Sequence, residues 1–300
     1  DFKGSENQAS KTLEAINNPD CGWFYTANQK NFEKIPGSII GYYLPNIVFE
    51  LFQGEKLSEY ANPRIGLVTG DSQRFIRFWY EISKSKSNIL NGNKWFKYQK
   101  GGEKRRWYGN NEYVINWEND GYECIYNNST KDGRIKSHNY NGEFALKKGI
   151  VWTKITSIGP SFRFVDEGFM FDDAGPLCKV KNDVFLFPIL GFLNSKVAVL
   201  FLETLSPTLN LLPGHLNSLP IIINDNALIV KLVPLLINGF KYDWDSRETS
   251  WDFKQNELIR LKSDTLEESF NNYKNYWKEQ FYQLHENEEE LNRQFIEIYG

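Results

Sequence analysis

Methionine is almost missing from this sequence: Met170 is the single example in 300 residues, and the chain begins at Asp1. The chain is therefore expected to be a piece of something longer. Cysteine is nearly as scarce. Cys21, Cys124 and Cys178 are odd in number, far apart and never spaced C-x-x-C, which argues against a disulfide framework or a thiolate zinc site. A reduced, cytoplasmic protein is expected. The histidines His138, His215 and His285 are isolated and share no metal-ligand spacing. Long apolar runs are lacking too. Val184 to Leu190 and Ile221 to Ile223 fall far short of the roughly 20 residues of a membrane span. No charged-then-apolar signal segment opens the chain. Neither a membrane partner nor a metal is expected.

Aromatic residues, by contrast, are plentiful: 9 Trp, 16 Tyr and 22 Phe. Disordered chains are poor in such rings, so most of this one should fold. The net charge of −3 hides an asymmetry. From Asp71 to Asn110 ten bases face three acids, whereas from Lys241 to Gly300 eight bases face 14 acids. One end should attract polyanions and the other repel them, which fits a local nucleic-acid face on an acidic protein. The bland alternative is a solvated basic face.

The pattern along the chain predicts a mixed α/β fold (α+β): a twisted mixed sheet with short helices, flanked by helical segments. Residues 1–60 read as mainly helical after a polar start. Strand candidates are Arg74 to Tyr80, which alternates, Glu112 to Trp117, Ile150 to Ile155, Ser161 to Val165 and Val184 to Pro188. Asn91-Gly92, Gly101-Gly102, Asn119-Asp120-Gly121 and Asp132-Gly133 are turn signals. Pro188 to Leu205 predicts one helix, ended by Ser206-Pro207, and Ala227 to Phe240 another, kinked or started near Pro234. Phe270, Tyr273, Trp277, Phe281, Leu284, Leu291, Phe295 and Ile298 repeat at helical spacing. Glu288 is the one polar break in that stripe, and the helix is expected to be interrupted once.

Catalytic signatures are wanting: there is no G-x-S-x-G elbow, no P-loop and no Asn/Asp/Ser-Pro-Pro-aromatic sequence. Asp252-Phe253-Lys254 imitates the end of a nuclease metal motif, but stands alone. The chain is expected to be non-catalytic by itself.

The densest chemistry is Trp95 to Asn111, WFKYQKGGEKRRWYGNN. Cations supply phosphate attraction and counterion release, and glycine admits close backbone approach. Arginine suits guanine edges and asparagine suits adenine edges. The competing structural reading is a basic hairpin whose rings fill the core.

Three blocks carry a family resemblance: GLVTGDSQRFIRFWYE (66–81), KGGEKRRWYGNNEYVINWENDG (100–121) and FRFVDEGFMFDDAG (162–175). With LGFLNSK (190–196), the later PTLN…LPI, and SRETSWDF (246–253), they resemble the adenine-specific DNA methyltransferases of bacterial phage-exclusion (BREX) systems. The LNSK…LPI block is also similar to the target-recognition domains of Type I specificity subunits and TaqI-like methyltransferases. The resemblance implies a division of labour. A missing N-terminal methyltransferase domain would hold S-adenosylmethionine, and no cofactor is expected in this chain. Residues 1–60 would be a linker or edge of that domain, 61–225 the target-recognition domain, and 226–300 a helical C-terminal region. The implied partner is double-stranded DNA, whose target adenine must be flipped out for methylation. Within that reading Lys97, Lys100, Lys104 and Lys154 are expected to hold phosphates. Arg105, Arg106, Asn110 and Asn111 are expected to read bases, and Arg74, Arg77 and Arg163 to serve either role. The alternative is an interaction module that docks on other phage-defence proteins through the acidic tail.

Overall fold

The structure, a computed structural model, describes residues 4–82, 94–206, 208–224 and 226–300. The Asn91-Gly92 turn, Lys84, Lys86 and Pro207 lie outside the described residues. The chain divides into two units, Asp1–Gly54 and Glu55–Gly300.

In the first unit helix Ser5–Asn17 is followed by short helices Gln29–Phe32 and Asn46–Leu51. The Trp23 indole donates to the Lys11 carbonyl at 3.1 Å, and Lys34 pairs with Glu50 at 2.6 Å.

The second unit carries the sheets. Its strands are β1 (Ala61–Arg64), β2 (Leu67–Val68), β3 (Ile76–Phe78), β4 (Trp95–Gln99), β5 (Tyr113–Asn116), β6 (His138–Asn139), β7 (Gly149–Trp152), β8 (Phe162–Val165), β9 (Phe169–Phe171) and β10 (Leu177–Val180). One open sheet runs β1-β10-β7-β8, all antiparallel. A second runs β3-β5-β4-β9, with β4 and β9 parallel, and β2 pairs with β6. The mixed α/β class expected from the sequence is what the chain adopts. The register Phe96↔Ile115 and Tyr98↔Tyr113 puts Tyr98 and Ile115 in a core with Leu67, Phe75, Trp117 and Met170.

Several expected elements differ, each for a local reason. The alternating Arg74–Tyr80 run is not one strand. The Asp71 carboxylate caps Arg74 N at 3.1 Å, so Ser72–Phe75 forms a helical turn before β3. Val184–Pro188 is helical rather than extended, because the Asn182 side chain caps Val184 N at 3.1 Å. A short apolar run does not distinguish a buried strand from a buried helix.

The helix expected over Pro188–Leu205 is two helices, Leu186–Leu193 and Lys196–Leu205, bent by 77°. The buried Asn194 side chain makes the corner. It accepts from Phe162 N at 3.1 Å and donates to Phe162 O at 3.0 Å, tying the bend to β8. The Ser195 hydroxyl then caps Ala198 N at 3.2 Å. Among the described residues no single helix is long and apolar enough to cross a membrane.

Helix Ala227–Asp245 runs through Pro234. Helix Leu266–Tyr299 is continuous over 34 residues, not interrupted. Its C-terminal part is anchored by rings: Phe192 stacks on Tyr299 at 5.3 Å and 7°, and Leu291 and Phe295 are buried.

Candidate nucleic-acid interface

The Lys100–Asn111 loop is built from backbone that few residues tolerate. Gly101 has φ 89°, and a Cβ there would sit 2.6 Å from the Ala174 carbonyl. Gly109 has φ 125°, and a Cβ there would meet Arg105 Nε at 2.7 Å. Trp107 and Asn110 also adopt left-handed backbone. Trp107 N donates to Phe162 O, and Phe164 N donates to Trp107 O, both at 2.8 Å, so the loop extends the sheet beyond β8.

Asn110 and Asn111, expected to read adenine edges, are buried inside this loop. Asn110 Nδ2 donates to Gly101 O at 3.0 Å and Glu103 O at 2.9 Å. Asn111 Oδ1 accepts from Gln99 Nε2. These amides close the loop, because buried polar groups need partners.

Arg163 is also fully buried, with Nη2 3.4 Å from Gly101 O. Burial pulls its guanidinium down to about 10, and the Glu112 carboxylate opposes that shift. A side chain placed so deep reaches neither a phosphate nor a base edge, which corrects the expectation for it.

The charge asymmetry takes an unexpected form, because the basic and acidic segments meet. Arg105 Nη2 lies 2.6 Å from Asp243, and Arg106 Nη2 lies 2.7 Å from Glu288. Glu288 also accepts the buried Trp107 indole N–H at 2.5 Å. The Trp251 indole donates to Asn111 O at 2.7 Å, and the Trp79 indole to Thr249 O at 2.8 Å. The acidic C-terminal segment thus clamps the basic loop and occupies its best base-reading candidates.

The remaining expected contacts are scattered. Lys154 pairs with Asp173 at 2.6 Å, and exposed Lys104 donates to Ile158 O at 2.7 Å. Lys97 lies over the Phe169 and Trp251 rings, and Lys100 over Tyr113. Arg74 is exposed and pairs with Glu123 at 2.5 Å. Arg77 donates to the Gln73 and Ile76 carbonyls.

A second basic surface escaped the sequence reading, although its Asp132-Gly133 turn was visible. Residues 127–140 form a hairpin in which Thr130 N donates to Arg134 O and Lys136 N to Asn128 O, both at 2.8 Å. Its feet are fixed by Asn128 Nδ2 on Thr69 O and Ser137 Oγ on Cys124 O, each 2.6 Å. Lys131, Arg134 and Lys136 are exposed and make no ion pair among the described residues. The one acid at the tip, Asp132, is held by the Thr130 hydroxyl, which keeps its carboxyl below the usual range. His138 stacks on Tyr140 at 5.4 Å, and the exposed Tyr122 and Tyr126 rings lie 5.4 Å apart. The available signal was KDGRIK, three cations around one turn.

No protein-family model matches the chain. Over its whole length it is 38% identical to the adenine-specific methyltransferase PglX of Lacticaseibacillus casei (strain Zhang). Over 98% of its length it is 34% identical to the adenine-specific methyltransferase BrxX of Escherichia coli O9:H4 (strain HS). The chain is a relative of PglX and BrxX. It spans about a quarter of those proteins, 26% of PglX and 24% of BrxX. The relationship bears out the resemblance that the GLVTG, KGGE…WYGN and FRFVDEG blocks carried. Among solved structures, the Type IIL restriction-modification enzyme MmeI in complex with DNA covers 80% of this chain and 36% of its own, at 12% identity and a TM-score of 0.44.

Proposed function

We propose that this chain is the DNA target-recognition region of a longer adenine-specific DNA methyltransferase of the phage-exclusion type. In this reading S-adenosylmethionine and the catalytic motif belong to the rest of the enzyme. The present chain grips duplex DNA in the cytoplasm while the target adenine leaves the stack.

The observation that carries the reading is the 127–140 hairpin, where Lys131, Arg134 and Lys136 are exposed, form no ion pair among the described residues and are flanked by exposed rings. Exposed cations that outnumber the one nearby acid, Asp132, supply the counterion-release part of duplex binding. Kinship to adenine-specific methyltransferases over a quarter of their length supports the assignment. The test is methylome sequencing of cells carrying the full-length enzyme, with this region exchanged for that of a relative. A changed N6-methyladenine motif is the expected result, and an unchanged motif refutes the reading.

A second role is favoured by one observation. On helix Leu266–Tyr299 the rings of Phe270, Phe281 and Tyr282 are each more than half exposed. They offer a docking face for other defence proteins. Phe270→Ser with Phe281→Ser should weaken complex assembly while leaving duplex affinity intact, and unchanged assembly removes this role. Point changes are needed because deleting the helix also removes Glu288.

A further inference from the structure

Among the described residues, seven buried side-chain polar atoms lack a hydrogen-bond partner. Six of them belong to Gln99, Arg105, Glu112, Arg163 and Trp244, all gathered on or against the Lys100–Asn111 loop. Native proteins leave few such groups, and several in one neighbourhood call for an explanation. Arg105, Glu112 and Trp244 line a cleft of about 400 Å³ that also touches Tyr80, Gly102 and Arg247. That volume falls in the range of small-molecule sites.

One wall of the cleft is a column of rings. Tyr80 stacks on Phe78 at 5.2 Å and 5°, and Phe78 on Tyr113 at 4.8 Å. Tyr80 ends the column and is half exposed, and among the described residues no further ring stacks on it. Just behind the wall lie both kinds of unpartnered group, an acceptor at Glu112 Oε2 and a donor at Arg105 Nε, both buried, which a ligand reaches when these two lining side chains turn toward the cleft. Burial pushes the Glu112 carboxyl up, and the Arg163 and Arg105 guanidinium groups oppose that shift.

This combination selects a ligand class. A free phosphate fits poorly, because Glu103 and Glu112 line the cleft and Asp243 already pairs with both Arg105 and Arg247, at 2.6 and 3.0 Å. An apolar ligand leaves the donor and acceptor unsatisfied. A flat ring with donors and acceptors along one edge satisfies both. We propose that the cleft between Tyr80 and Arg105 receives a single unpaired nucleobase, stacked on Tyr80 and hydrogen-bonded to Glu112 and Arg105. This base is additional to the adenine that is methylated. The inference rests on the DNA-recognition reading and gives it a second point of contact, distinct from the hairpin.

The test uses the full-length enzyme and a duplex carrying its methylation motif, with 2-aminopurine placed in turn at each position outside the methylated adenine. Fluorescence is expected to rise at one position. Tyr80→Ala should abolish that rise, Tyr80→Phe should retain it, and Glu112→Gln should weaken it. Base–aromatic stacking sets the loss of base binding in Tyr80→Ala at roughly tenfold. Tyr80 is exposed enough for its variants to stay folded, and anisotropy with a labelled duplex reads overall affinity separately. Duplex bound with no position brightening, or brightening that survives Tyr80→Ala, overturns the inference and leaves the recognition reading standing. No duplex binding at low salt overturns the recognition reading and the strand as source of the base. The four nucleoside monophosphates are titrated in parallel. Saturable binding of one, lost in Tyr80→Ala, identifies a free nucleotide as the source; absence of both signals overturns the nucleobase itself.

Discussion

Glu288 and Trp107, 181 residues apart in sequence, are joined by an indole N–H···carboxylate bond of 2.5 Å. The second carboxylate oxygen takes Arg106 at 2.7 Å. Glu288→Ala leaves a buried indole N–H and a half-buried guanidinium unpaired, with an expected loss of about 3 kcal/mol in urea denaturation. Glu289→Ala, one residue along on the exposed face, should stay within about 0.5 kcal/mol of the parent.

Asn194 partners both backbone groups of Phe162 with one amide, sharing the carbonyl with Trp107 N. Asn194→Ala strips the side-chain partner from a buried N–H and one of two donors from a buried carbonyl at the helix bend, and roughly 1–3 kcal/mol should go in the same assay. Asn194→Asp keeps the acceptor and loses the donor. It should fall below the parent, and a parent-like midpoint for both variants removes Asn194 from the account of the bend.

Replacing Lys131, Arg134 and Lys136 together by Ala should reduce the salt slope of duplex binding by up to about 2.7, since each phosphate contact contributes about 0.9. Arg105→Ala should leave that slope unchanged and instead lower stability, because Asp243 already holds its guanidinium. The opposite pattern, a slope moved by Arg105 and not by the hairpin, relocates the duplex to the Lys100–Asn111 loop.

Burial pushes the Cys178 thiol up to about 12 and the Cys124 thiol up to about 11. Each folded value lies above the unfolded thiol value of about 8.5. Their contribution to stability is therefore complete below that pH and is lost as pH rises toward the folded values. The denaturation midpoint should fall between pH 8 and 10.5, and a flat profile counts against the burial. An aromatic disulfide reagent at pH 8 should modify the half-buried Cys21 quickly and the other two only after unfolding.

Much of this architecture was readable because the signals were local. The strand at Phe162–Val165, the turn at Gly101-Gly102 and the helix from Ala227 follow from residue types within a few positions. Glu288 stood out as a flaw in an apolar stripe, but its reason lies at Trp107, and periodicity carries no information about a partner 181 residues away. Asn110, Asn111 and Arg163 are turned inward for the same cause. Residue type suited them to bases, while tertiary packing buried them. The KDGRIK hairpin was passed over because a turn signal says nothing about which cations remain unpaired after folding.

The clamp that joins the basic loop to the acidic segment also sets which residues must travel together when this region is exchanged with that of a relative. Trp79, Arg105, Arg106, Trp107 and Asn111 all hold partners between Asp243 and Glu288. A graft of residues 61–225 alone sets five donor–acceptor matches against a foreign tail. A graft that runs to the end of helix Leu266–Tyr299 transfers these matches and the Phe192–Tyr299 stack together, so chimaeras should be cut there rather than at the end of the strands.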